Sequence, residues 1–486
     1  MVDYVSALSI DFSLIYPEIV LLIGASVILL GSISRSFRAV IPGLALLSCL
    51  ISFWLAARQW GDQGSGFADM VTCDNFGVMF KQIFLIASIV TLFLGHRYLK
   101  VKGLDRPEYY ALILFSTAGM MVMANTADLV VMFLGLEIMS LPLYVLAGFN
   151  RRSLESSEAG IKYFLMGAFA TAFLLMGIAF IYGAAETTNL RRIVTNFSYI
   201  AFHYNPTAIY FYSGIALTLV GFGFKIAAVP FHTWVPDVYH GAPTPVTAFF
   251  SVAPKAAGFA VMLRIFVFGV SGVELLTTVF WVLAVLTMSV GNVLALRQDN
   301  VKRMLAYSSI SHAGYILVAL TVGGADAVSS AIFYLVAYTF FNLGAFAVVT
   351  VMETRSGCRS EFSELAGLSK AHPYLAAVLA LFMFALSGFP PTAGFLGKFY
   401  VFSAAVHKGF IWLAVIGVMN SFVSVYYYLR VIKTSYFDEV TGEVKPVVLS
   451  PSVIIALVIT AIGTLGLGFF PQQLLEFSQA AIFGMP

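Results

Sequence analysis

Charge is what this sequence has least of. Asp, Glu, Lys and Arg supply 10% of its 486 residues, against about 25% in an ordinary soluble domain. Hydrophobic side chains supply 60%, and the mean hydropathy is +0.91. Those values exclude a soluble globular fold and leave a polytopic membrane protein. Cysteine is sparse too: Cys49, Cys73 and Cys358 form no C-x-x-C pair, so no framework for an iron–sulfur cluster or a structural zinc is visible. None of the seven histidines lies four residues from another, which removes the helical His pair of haem and metal sites. G-x-G-x-x-G and G-x-x-x-x-G-K-[ST] are both missing, so nucleotide binding has no support. A net charge of +3 is too small to imply a nucleic-acid partner. No Lys or Arg precedes Arg35. The N-terminal region therefore lacks the basic segment of a cleaved signal or transit peptide, and residues 15–34 are expected to be a retained first span.

What is present is a succession of apolar runs, each near the roughly 20 residues that cross a bilayer as a helix. Fourteen are predicted, at about 14–34, 38–57, 75–96, 108–124, 128–149, 158–183, 208–240, 244–269, 275–296, 301–322, 326–352, 373–406, 409–432 and 450–470. Two, 208–240 and 373–406, are too long for one straight helix. Each carries prolines in its middle, Pro230 and Pro236 in the first, Pro390 and Pro391 in the second. Proline removes a helical hydrogen bond, so each is expected to be a broken helix with an unwound centre. Broken helices in corresponding halves are a mark of internal repeats in transporters. The expected fold class is an all-α polytopic membrane protein of about fourteen transmembrane helices. Its expected units are residues 1–107 (spans 1–3), 108–269 (spans 4–8), 270–432 (spans 9–13) and 433–486 (span 14).

The loops orient the spans, because Lys and Arg concentrate on the cytoplasmic side. With both termini outside, the cytoplasmic loops hold Arg35, Arg38, Arg97, Lys100, Lys102, Arg106, Arg151, Arg152, Arg297, Lys302, Arg303, Arg355, Arg359, Lys370, Arg430, Lys433 and Lys445. The outer side holds only Arg58, Arg191, Arg192, Arg264 and Lys408. The expected location is a bacterial cell inner membrane with both termini on the periplasmic side.

Five basic residues remain inside spans, and all are lysines: Lys81, Lys162, Lys225, Lys255 and Lys398. Lysine can give up its proton when desolvated, whereas arginine effectively cannot. One acid joins them in this reading, Glu137 in "VVMFLGLEIMSLPLYVLAGF". Each ionisable group at the bilayer centre costs about 2.5–3.5 kcal/mol on insertion scales, so a set of them points to ion or proton movement. Blander roles remain for some. Lys81 lies near an outer helix end, where it can snorkel. Lys162, four residues after Glu158, fits an inner-edge anchor. Lys225 stands five residues before Pro230, and Lys398 follows the second proline pair, so each ammonium is placed to cap carbonyls freed at its break. His232 directly after the first break, and His312 in "YSSISHAGY", are candidate proton carriers, although a lone histidine in a span is often only packed and hydrogen-bonded. Tyr426, Tyr427, Tyr428 and Arg430 in "SVYYYLRVIK" are expected to be an aromatic belt with a charge anchor.

Four stretches, in order, carry a resemblance: "FLGLEIMSLPLYVLAGF", "GFGFKIAAVPFHTWVPDVYHGAPTPVTAFFSVAPKAAGF", "VKRMLAYSSISHAGY" and "LSGFPPTAGFLGKFYVF". Together they resemble the antiporter-like membrane subunits of respiratory complex I, a family that also takes in the large subunits of Mrp-type cation/proton antiporters. The run "PDVYHGAPTPVTAFFSVAPKAAGF" looks most like the N-type branch, and the resemblance covers residues 10–470. It implies fourteen spans with two inverted five-helix repeats. It also implies that Glu137 pairs with Lys225, that Lys162 modulates the pair, that Lys255 links two half-channels, and that Lys398 connects to the outer side.

The function implied is that of a proton-translocating membrane subunit of the proton-pumping NADH–quinone oxidoreductase. Protons would move from cytoplasm to the outer side through a buried Glu/Lys/water relay coupled to quinone reduction elsewhere. The alternative is an Mrp-like Na+/H+ antiporter subunit, whose chemistry would use the same lysines. No cofactor is expected on this chain; the resemblance implies that NADH, FMN, Fe–S clusters and quinone serve in other subunits. The expected partners are the neighbouring M-type subunit, the small K/J-type subunits and the lipid bilayer.

Overall fold

A computed structural model of the chain describes residues 10–34, 37–202, 207–269, 274–354, 360–439 and 449–482. Arg35, His203, Arg355, Cys358, Arg359 and Lys445 lie outside the described residues. Within them, twelve helices are long and apolar enough to cross a membrane. The other two predicted spans are the Pro107–Ala124 helix and the pair Pro373–Ser387 and Ala393–His407. Polar residues start several of the helices. Asp74, Asp128, Ser153 and Asn300 each accept a backbone N–H of the first turn, which satisfies donors that a helix leaves open.

Both long segments break where their prolines fall. The first divides into Thr207–Ile226 and Val235–Gly241, the second into Pro373–Ser387 and Ala393–His407. Each break opens on a residue with positive φ, Ala227 at 64° and Gly388 at 86°. For Ala227 this left-handed conformation costs about 1–2 kcal/mol, which the surrounding bonds offset. The Ala228 amide donates to Gly223 O at 2.8 Å, and the Val229 amide to Thr287 Oγ1 at 3.0 Å.

Three helices form the centre: Thr244–Met262, in which every residue is buried, Val301–Val322 and Gly324–Glu353. Peripheral helices such as Leu154–Ala185 and Ile411–Phe437 expose apolar faces, Phe169 and Phe422 among them, as lipid-facing helices do. Unpredicted elements include an antiparallel pair of strands, Gly64–Gly66 with Val71–Cys73, and the helices Leu190–Phe202 and Pro471–Ala480. The small ladder qualifies the all-α expectation.

Lys81 departs from the snorkelling expectation. Its side chain is fully buried, in an ion pair with Glu18 Oε1 at 2.9 Å, and it donates to Gln59 Oε1 at 3.0 Å. Glu18 sits in the first turn of the Tyr16–Gly31 helix, so Glu137 is not the one acid inside the spans. The carboxylate compensates the buried ammonium, and losing either partner would leave an uncompensated charge. Lys302 and Arg264, assigned to loops from the sequence, are likewise buried. Arg264 holds Asp74 through two guanidinium hydrogen bonds of 2.7 and 2.9 Å, and Lys302 lies 3.7 Å from Glu353.

Candidate functional site

Lys225 lies at the end of the first half of the first broken helix and is 3% exposed. Its Nζ donates to Ser140 Oγ at 2.7 Å, with the rings of Tyr144, Tyr163 and Phe224 between 5.3 and 5.8 Å away. Among the described residues it has no carboxylate within ion-pair distance. Glu137 stands one turn before Ser140 on the same helix, half-buried, with Oε1 shielded from solvent and without a hydrogen-bond partner among the described residues. The expected capping role belongs to another side chain: Trp234 Nε1 donates to Phe224 O at 3.2 Å. Trp234 reaches it because the break folds residues 227–234 back on the helix end. Lys225 is left free for Ser140.

Lys398 does cap its break. Nζ donates to Leu386 O at 3.1 Å and Ser387 O at 3.0 Å, the last carbonyls of Pro373–Ser387, and to Ser421 Oγ at 2.8 Å. A cation there also complements the helix C-terminus. Gly388 makes room for it, since a Cβ at that position would lie 3.1 Å from Lys398 Cδ. A cavity of about 740 Å3 opens beside Lys398, lined by Ser387, Ser421 and apolar side chains.

Lys255 occupies the middle of the central Thr244–Met262 helix. Nζ donates to both O and Oγ of Ser309, each at 2.8 Å. The preceding Pro254 cannot bond Phe250 O along the helix, and that carbonyl instead accepts the Tyr239 hydroxyl at 3.0 Å. The first broken helix passes close by: a Cβ on Gly258, one turn beyond Lys255, would lie 3.6 Å from Lys225 Cβ.

His312, on the same helix as Ser309, is 1% exposed and bonded at both nitrogens, Nδ1 to Tyr334 OH at 2.6 Å and Nε2 to Tyr428 OH at 3.1 Å. Tyr428 OH also meets Ser308 Oγ at 2.5 Å. Tyr427 donates to Asn292 Oδ1, and Asn292 Nδ2 to Tyr315 OH, whose ring lies 4.9 Å from Lys398 Nζ. Of the three tyrosines only Tyr426, 65% exposed, lies on the outside as the aromatic-belt expectation requires. Tyr427 and Tyr428 face inward because helical geometry turns successive residues about 100° apart. A run of three tyrosines cannot share one face.

Lys162 stays at the rim, 40% exposed, in ion pairs with Glu158 at 2.6 Å and Asp237 at 2.8 Å. It makes no direct contact with Lys225, although its neighbour Tyr163 does flank that ammonium. His232 is half-buried beside the first break, its Nδ1 shielded and without a hydrogen-bond partner among the described residues.

Sequence reading placed Ser309 beside His312 in "YSSISHAGY" but missed Ser140, Tyr315, Tyr334, Tyr428 and Asn292 as contacts of the site. The helical offset of Ser140 from Glu137 was a usable signal. Tyr315, three residues after His312 in the same stretch, offered a signal of the same kind, whereas Tyr334, Tyr428 and Asn292 come from other helices and carried none. Chemically, the arrangement consists of three buried ammonium groups, each bonded to a hydroxyl of its own, and one buried imidazole, groups that can each take and pass a proton.

Comparison with known proteins identifies the family. The family model described as NADH:quinone oxidoreductase/Mrp antiporter, TM, matches residues 126–424. NADH-quinone oxidoreductase subunit N of Trichlorobacter lovleyi is 47% identical over 478 residues, 98% of this chain and 97% of that one. A chain in the structure of respiratory complex I from Thermus thermophilus with bound aureothin is 33% identical. It superposes with a TM-score of 0.80 over 95% of this chain and 98% of that one. A chain of membrane-bound sulfane sulfur reductase, an archaeal respiratory membrane complex, is 27% identical with a TM-score of 0.86, covering 97% of each. The protein therefore belongs to the NADH:quinone oxidoreductase/Mrp antiporter membrane family, among the antiporter-like N-type subunits of respiratory complex I.

Proposed function

We propose that this chain carries protons across the membrane for an NADH–quinone oxidoreductase, through a relay running from Glu137 and Lys225 to Lys255 and on to Lys398. One observation supports it above the rest. Lys225, Lys255 and Lys398 are each at most 5% exposed, and each is held by hydroxyls or carbonyls with no ion pair within 4 Å among the described residues. A buried ammonium without a counter-ion is costly, and the cost falls if the site is one that gains and loses its proton. Approach of Glu137 to Lys225 favours the charged lysine; separation favours release towards Lys255. His312 with Tyr334 and Tyr428 offers a bridge from the Lys255 region towards Lys398, His232 serves the first break, and Lys162 tunes the Glu137–Lys225 pair from the rim through Tyr163.

In this reading protons travel from the cytoplasm to the outer side, with both termini outside and the basic loops on the cytoplasmic face of a bacterial inner membrane. Residues 108–269 and 270–432 act as two inverted repeats. The M-type and the small K/J-type subunits are the neighbours. Redox chemistry, with its NADH, FMN, Fe–S clusters and quinone, belongs to other subunits, and their electrostatic state moves the Glu137–Lys225 pair.

The test uses membrane vesicles carrying Lys225→Ala or Glu137→Ala in the assembled complex, with NADH–quinone electron transfer and proton uptake recorded together. Both rates should fall sharply in both variants. Normal proton stoichiometry in both would sink the relay. Sodium-driven proton movement without NADH would instead favour an Mrp-like antiporter.

A further inference from the structure

A second buried charge cluster lies where the basic loops meet the central helices. Glu353 ends the Gly324–Glu353 helix, with its side chain 11% exposed. Tyr98, Thr244 and Ser360 all donate hydroxyls to its carboxylate, Tyr98 at 3.1 Å to Oε2 and Ser360 at 2.8 Å to Oε1. Lys302 Nζ lies 3.7 Å from Oε1, but its hydrogen bond goes to Ala242 O at 2.6 Å. Four helices and a loop thus converge on one carboxylate that keeps a narrow opening to the surface.

From this carboxylate a polar line leads inward. Thr244, Thr247, Ser251 and Lys255 follow at offsets of three, seven and eleven residues, which places them on one face of the Thr244–Met262 helix. All four are buried. The antiparallel Gly324–Glu353 helix answers with Asn342, eleven residues before Glu353, and Asn342 Nδ2 donates to Ser251 Oγ at 2.6 Å. Asn342 Oδ1 is buried and has no hydrogen-bond partner among the described residues. A fully buried amide oxygen of this kind calls for a donor such as an ordered water. At about 1.5 Å per residue, Thr244 and Lys255 are separated by roughly 16 Å; between them the Thr247 hydroxyl donates to Tyr239 O at 2.8 Å and that of Ser251 to Ala248 O at 2.7 Å, so transfer along this face requires intervening water.

We propose that Glu353, with Lys302 beside it, is the proton-uptake site that feeds Lys255 along this line. Glu353 carboxylate takes a proton from hydronium at the loop surface, leaving water and a carboxylic acid. That O–H bond then breaks, the proton passes through Thr244, Thr247, Ser251 and intervening water, and an N–H bond forms on neutral Lys255. Lys302 restores the ionised carboxylate by its charge. The inference rests on the relay proposed above and adds to it a second intake, which joins at Lys255 beside the path from Lys225.

The test compares Glu353→Gln, Glu353→Asp, Ser251→Ala and Lys255→Ala in vesicles containing the assembled complex. Electron transfer and proton uptake should fall at least five-fold in Glu353→Gln, while Glu353→Asp should retain at least half. Ser251→Ala should slow both at least two-fold and raise the solvent deuterium isotope effect, which a packing change alone would not move. Wild-type rates in assembled Glu353→Gln, with Lys255→Ala inactive, would overturn the intake and leave the relay standing. Wild-type rates in both would overturn the relay itself. If Glu353→Gln does not assemble, Ser251→Ala decides, and an unchanged rate and isotope effect there would refute the path.

Discussion

Lys225 donates to Ser140 at 2.7 Å, one helical turn beyond Glu137 on the same helix. The hydroxyl holds the ammonium within reach of the carboxylate without committing it to an ion pair. Removing Glu137 alone does not remove that anchor.

Ser140→Ala should therefore weaken coupled proton uptake at least ten-fold, since a charge-assisted hydrogen bond is worth about 1.5–3 kcal/mol and about 1.4 kcal/mol is already ten-fold in rate. Ser140→Thr keeps the oxygen and should stay near wild type. Equal rates in all three proteins, measured by proton uptake in vesicles, would show that the hydroxyl is incidental.

Lys398 joins structure and transfer, so two readouts should separate. Lys398→Met leaves Leu386 O without its donor and Ser387 O with only the long 3.4 Å bond from Ser421 Oγ, at about 1–3 kcal/mol for a buried acceptor left unpaired. The Tm of the solubilised complex should fall. Lys398→Gln keeps amide hydrogens for those carbonyls and should lower Tm less, yet it carries no transferable ammonium, so its pumping should be as poor as that of Lys398→Met. Full pumping by Lys398→Gln would confine this residue to capping.

Tyr428→Phe removes the hydroxyl that joins Ser308 to His312. Electron transfer coupled to proton uptake should slow about five-fold, the rate equivalent of about 1 kcal/mol. Tyr426→Phe, on the exposed face two residues earlier, should change nothing and serves as the control. Identical kinetics in the two variants would remove Tyr428 from the path.

Membrane character, the number of spans, the two breaks and the placement of Lys225, Lys255 and Lys398 inside the spans were all legible in the sequence, for a physical reason. A bilayer penalises charge strongly and demands helices of nearly fixed length. An ionisable side chain amid twenty apolar neighbours, or a proline pair within an overlong run, therefore stands out locally without any knowledge of packing.

Partnership was decided by tertiary structure alone. Glu18 and Lys81, Asp74 and Arg264, and Glu353 and Lys302 pair across 63, 190 and 51 residues. At helix ends each of these charges looks like an ordinary loop or anchor residue. Whether Lys225 or Trp234 caps the first break depended on how residues 227–234 fold back, and whether Tyr428 faces lipid or His312 depended on the rotation of its helix. Apolar periodicity is nearly uniform around these helices, so it records that they cross the membrane and is silent on which face turns inward. That choice is made by hydrogen bonds between segments far apart in the chain, which form only once the helices are packed.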